Sequence, residues 1–144
     1  MDNVSGKTLV NMSNELRKVA SVSGLALSSL SKAKYDIVSA GFFGAAQSAE
    51  VLAASAKLAV GGVTTAASAA DLLTTALNAY GLSSKDAIKV SDVLFTTVRF
   101  GKTTMNELSG SLGMVLPFTK AMNLSLESVG ASMACLLYTS DAAD

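Results

Sequence analysis

A chain of 144 residues, half of them apolar but only 6% aromatic and none of them tryptophan, can bury one core built from leucine and alanine rather than from rings. Eleven basic residues balance eleven acidic ones, so the charge gives no basic face for nucleic acid, and no specific nucleic-acid binding is expected. The absence of histidine excludes Ser-His-Asp and Cys-His catalysis and His-ligated zinc, and one cysteine excludes an internal disulfide.

Glu50, Lys57 and Asp71 interrupt the most apolar stretches, so no uncharged run reaches the length of a bilayer span, and the N-terminus lacks a charged-then-apolar leader pattern. The carboxylates are scattered at helix starts and outer faces, as expected for capping and solubility. No catalytic, cofactor-binding or metal-binding residue is expected, and the chain reads as a non-enzyme.

Residues 1–24 form a polar, weakly periodic segment, helical from Ser13 onward. The first well-patterned helix covers Leu25–Ser39, with Leu27, Leu30, Ala33 and Ile37 inward. The "AGFFGAA" stretch, Ala40–Ala46, reads as a tight turn whose two phenylalanines plug the core. Ala45–Val60 follows as a helix with Val51, Leu52, Leu58 and Ala59 on one side and Glu50 and Lys57 on the other. Gly61-Gly62 is expected to end it through positive φ. Thr64 or Thr65 then caps a helix running to Tyr80, whose inward face is Ala69, Leu72, Leu73, Ala76, Leu77 and Tyr80 at helical spacing.

The stretch "ALNAYGLSSKDA" predicts a Schellman stop at Gly81, with Leu77 and Leu82 as its apolar pair. Ser83 caps the next helix and Asp86 closes a capping box. That helix, Ser84 to Phe100, should turn Ala87, Val90, Leu94 and Thr97 or Val98 inward and stop at Gly101. Thr104 and Glu107 form another capping box. The helix behind them presents Met105, Leu108, Leu112, Val115 and Leu116 inward until Pro117 ends or kinks it. Asn123 supplies a turn and Ser125 caps the last helix. The fold class is all-α: a bundle of five to seven short antiparallel helices joined by Gly/Ser/Thr-rich turns.

"GKT" occurs at Gly6-Lys7-Thr8 and Gly101-Lys102-Thr103. A phosphate-binding loop needs a further glycine five positions earlier, where Met1 and Thr96 stand, so both are read as helix punctuation. Met105, Met114, Met122 and Met133 are expected in the core, with an adaptable groove as the alternative. Gly110, Gly113 and Gly130 inside helical patterns point to close helix–helix contact, with self-association as the alternative. The alanine-rich helix near Ala45–Ala59 is read as core packing rather than a membrane contact.

The last ten residues, "CLLYTSDAAD" (Cys135–Asp144), resemble the translation of a transposase-type sequencing adapter. Without them the chain loses its cysteine and carries a net charge of +2. The expected organisation is thus 1–24 as an N-terminal segment, 25–134 as the helical core and 135–144 as an artefact, the native chain being cut inside a helix.

From Tyr35 to Ala134 five segments occur in a familiar order: "YDIVSAGF", "VLAASAKLAVGGVT", "AADLLTTALNAYGLSSKDAIKVSDVLF", "GKTTMNELSGSLGMVLP" and "NLSLESVGASMA". Together they resemble the core region of the tail tape-measure proteins of long-tailed bacteriophages and prophages, with "ELSGSLG" as a departure rich in small residues. The resemblance implies a virion structural protein that occupies the tail lumen, sets tail length and templates tube assembly. It implies self-association with other tape-measure copies, contact with tail tube and tail assembly chaperone proteins, and a transient host-envelope contact. It also implies residence in the host cytoplasm during assembly. A helical ruler gains about 1.5 Å per residue only when extended, so these short punctuated helices predict a folded section, with the ruler elsewhere. The competing reading is a cell-wall hydrolase-bearing or membrane-active tail protein acting in genome delivery.

Overall fold

The computed structural model describes residues 6–143. Among them the chain forms seven helices and no strand: α1 (Gly6–Ser23), α2 (Leu27–Ser39), α3 (Ala45–Gly61), α4 (Ala66–Tyr80), α5 (Ala87–Gly101), α6 (Met105–Ala121) and α7 (Leu126–Asp141), with a 3-10 turn at Ser84–Asp86 before α5. The all-α expectation holds.

The helices form two rows. Each row is built from helices two apart in sequence: α1 on α3, α3 on α5 and α5 on α7 in one row, α2 on α4 and α4 on α6 in the other. The α5–α7 and α2–α4 contacts are the most extensive, and α3 against α4 joins the rows. The chain bends by 120° between α3 and α4. Its accessible surface of 8318 Å² exceeds the roughly 6,900 Å² expected of a compact chain of this mass, as an open stack requires.

Leu52, Leu58, Leu72, Leu73 and Leu77 are fully buried between the rows, with Ala54, Ala59, Ala66, Ala69, Ala70 and Ala76 filling the narrow spaces among them. These small side chains let α3 and α4 approach closely. Serines and threonines enter the interior by bonding back along their own helix: Ser55 donates to the Val51 carbonyl at 2.8 Å and Thr74 to that of Ala70 at 2.8 Å.

The turns follow the sequence signals closely in three places. Gly81 takes φ +64° and donates to the Asn78 carbonyl at 3.1 Å, while Leu82 donates to that of Leu77 at 2.8 Å. That pair of bonds is a Schellman motif. Thr65 accepts from the Ser68 N–H at 3.1 Å, and Ser125 from the Ser128 N–H at 3.2 Å. Asn123 provides the turn before α7 at φ +57°. Gly81→Ala should cost about 1 kcal/mol, because alanine must hold a left-handed backbone; an unchanged thermal melt would contradict it.

Elsewhere the structure corrects the sequence reading. Helix α1 begins at Gly6 rather than Ser13, because the half-buried stripe of Met12, Leu16, Val19 and Ala20 starts before that serine. Leu27 is exposed at the first turn of α2, and Lys34 is buried instead, its ammonium 2.8 Å from Glu15 of α1. Only Phe42 plugs the core; Phe43 is 76% exposed. Gly62 keeps φ −91° and the left-handed residue is Val63 at +50°. A Cβ on Gly62 would lie 2.6 Å from Met105 Cε, so this glycine serves close approach.

The expected helix start at Ser84 is a 3-10 turn, with the Ser83 N–H donating to Asp86 at 3.0 Å. Gly101 stays helical and buried, facing Ala134 and Leu137 of α7, and Lys102 makes the left-handed stop at φ +49°. In α6 the buried face is Met105, Leu108, Leu112, Leu116 and Thr119, leaving Val115 outside. Pro117 lies within the helix and does not end it.

Candidate interaction surface

Helix α6 is where sequence and burial disagree most. Its twelve residues from Leu108 to Thr119 contain no charge, with Glu107 before them and Lys120 after. One face packs on α4, helped by a hydrogen bond of 3.0 Å between the Tyr80 and Thr119 hydroxyls. The opposite face carries Gly110, Met114, Pro117, Phe118 and Ala121 at three- and four-residue intervals, all exposed. Met114 is 70% and Phe118 71% exposed, with Met122 beside them at 70%.

Of the four methionines expected inside, Met105 is buried and Met133 packs partly against the core, whereas Met114 and Met122 are outside. Gly110 and Gly113 also depart from expectation, since a Cβ on either would meet nothing within 4 Å. Only Gly130 sits at a close approach, its Cβ position 2.6 Å from Thr97 Oγ1 of α5. Pro117 has no N–H to give the Gly113 carbonyl, so the outer face of α6 combines flat backbone with large soft side chains. A helix apolar on all sides is ordinarily covered on all sides, and an exposed apolar strip of this kind marks a contact surface. Helix α2, at the other end of the same row, turns exposed Ser28, Lys32, Tyr35 and Ser39 outward.

Two apolar grooves open on the other row. One, of about 730 Å³, runs between α5 and α7 past Val93, Phe100, Ala131 and Tyr138. The second, of about 540 Å³, lies between α1 and α3 against Val19, Val22, Ala53 and Val60. At the rim of the first, Lys89 and Glu127 are paired at 2.8 Å.

The charged groups with shifted acidities serve caps and ion pairs. The Thr104 N–H, followed by the Thr103 and Thr104 hydroxyls, holds the Glu107 carboxyl below its ordinary value. Ser83 does the same for Asp86, through its hydroxyl first and then its backbone N–H. The hydrogen bond from Lys89 lowers Glu127 and raises Lys89. A carboxylate whose folded pKa is lowered stabilises the fold above its unfolded pKa and stops doing so as pH falls through the folded value. Stability should therefore decline on acidification through the carboxylate range, and Glu107→Gln should flatten that decline in melts recorded across pH. The Lys89 contribution, of opposite sign, should persist until strongly alkaline pH.

Among the described residues no group of three or more His, Cys, Asp or Glu could hold a metal. The second "GKT" stands at the C-terminus of α5, where the exposed carbonyls repel phosphate; the first opens α1 at Gly6. No single described helix is long and apolar enough to cross a membrane; α3 and α4 pass by length and composition only when taken together, across their 120° bend.

The profile of the phage-related minor tail protein family matches residues 10–143, from within α1 to the end of α7. The chain belongs to that family. It is also 32% identical over 127 residues to a "Probable tape measure protein" of Clostridium phage phiCD119, covering 85% of this chain and 13% of that protein. No solved structure matches. Of the exposed residues on and beside the outer face of α6, Met114 and Met122 were expected in the core; the sequence signal for that face is the absence of charge between Glu107 and Lys120.

Proposed function

We propose that this chain is a folded section of a tape-measure polypeptide, which lies in the tail lumen, sets tail length and templates assembly of the tube around it. The observation that carries the reading is the family match over residues 10–143, together with the relative named as a probable tape measure protein. The chain spans 13% of that relative, and the ruler function is assigned to other parts of the polypeptide. The module acts mechanically, with no chemistry of its own. It is made in the host cytoplasm, meets tail tube and assembly chaperone proteins there, and contacts the host envelope transiently on delivery.

Within this reading the outer face of α6 joins neighbouring copies. In support, Met114 and Phe118 are exposed together on a charge-free strip, with Met122 exposed just beyond Lys120. Light scattering on the 144-residue chain should show a concentration-dependent oligomer that Met114→Glu with Phe118→Glu converts to monomer. A wild-type chain monomeric at all concentrations removes the α6 contact. The tape-measure assignment is tested separately by mass spectrometry of purified virions, which should recover peptides of this module from assembled tails. A peptidoglycan zymogram should stay uncleared.

Residues 135–144 are assigned outside the functional module. This rests on the adapter-like string alone: α7 continues to Asp141, Leu137 packs on Gly101 and the family match runs to residue 143. Re-amplification of the source DNA across this point should replace the ten residues with a different sequence.

A further inference from the structure

The two rows carry a mechanical consequence that the family assignment does not contain. Every substantial contact joins a helix to its neighbour or next neighbour in sequence, and among the described helices no such contact links the two ends of the chain. Removing an outer helix therefore disturbs at most the two helices next to it in sequence. Burial is graded in the same direction. Helices α3 and α4 hold eight buried residues each, α5 six, α6 five, α2 four and α1 none, with four among the described residues of α7.

The outer elements are held by separable fastenings. Lys34 and Glu15 tie α1 to α2, and Lys89 and Glu127 tie α7 to α5. In arrays whose units touch only near neighbours, stability is a sum of local terms rather than one indivisible quantity.

We propose that the module opens in sequence from its N-terminal end, α1 first, while the α3–α4 pair stays folded, so that it can be drawn out as a thread without prior collapse of its centre. This is independent of whether copies associate through α6. Native-state hydrogen exchange on the intact 144-residue chain tests it. Amides of α3 and α4 should exchange about 100-fold or more slowly than those of α1, with α2 between them. Leu16→Ala, at the α1 contact with the core, should accelerate exchange in α1 and leave α4 unchanged. Uniform protection across all seven helices, or acceleration of every helix by Leu16→Ala, would overturn the proposal. Pulling on the chain ends gives a second readout: several successive extensions are expected, and one all-or-none extension contradicts the scheme.

Discussion

Leu73→Ala should reduce the free energy of unfolding by about 3 kcal/mol and the melting temperature by roughly 10 °C. Leu73 has no accessible surface and lies on α4, the helix that meets α2 and α6 in its own row and α3 across it. Truncation removes three buried carbon atoms from a wall already lined with Ala69, Ala70 and Ala76. Alanines have no rotamers with which to refill the space, so most of the cavity term survives. Exchange of the α3 and α4 amides is the appropriate measurement, since it follows the last part of the structure to open. A loss below 1 kcal/mol would mean that the rows can close over the gap.

The second expectation is a contrast between two glycines. Gly130→Val should weaken the attachment of α7 by about 2 kcal/mol, the usual cost of forcing extra atoms into a filled contact. The Cβ position lies 2.6 Å from Thr97 Oγ1 and 3.3 Å from Val93 Cγ1. Thr97 has little freedom to yield, because it is buried and its hydroxyl donates to the Val93 carbonyl at 2.9 Å. Gly110→Val, placed where nothing lies within 4 Å, should be neutral or slightly stabilising through helix propensity. Circular dichroism and exchange in α7 would read both variants. Equal effects would show that helix propensity, rather than the α5–α7 approach, governs the two sites.

Much of the architecture was legible in the sequence because its punctuation is chemical. Gly81, Thr65, Thr104, Asn123 and Ser125 each stop or start a helix through a backbone angle or hydrogen bond that the residue type itself dictates. Inward faces were equally legible on α3 and α4, where period and burial coincide. The contact surface was not. Periodicity reports which residues are apolar, not whether another helix is present to cover them. On α6 both faces satisfy the pattern, and only α4 is there to choose between them. Val115 and Met114 were therefore read inward. The same ambiguity explains Gly110 and Gly130, both interior to helical patterns in the sequence but opposite in surroundings. Lys34 escaped notice because its burial depends on Glu15, nineteen residues away.

The alternation of the rows imposes a parity on change. Inserting or losing one helix would send every later segment to the opposite side, turning its buried stripe toward water and its polar flank toward the interior. Adding or removing helices two at a time preserves sidedness throughout. On this geometry, length variation in such a module is expected in even increments.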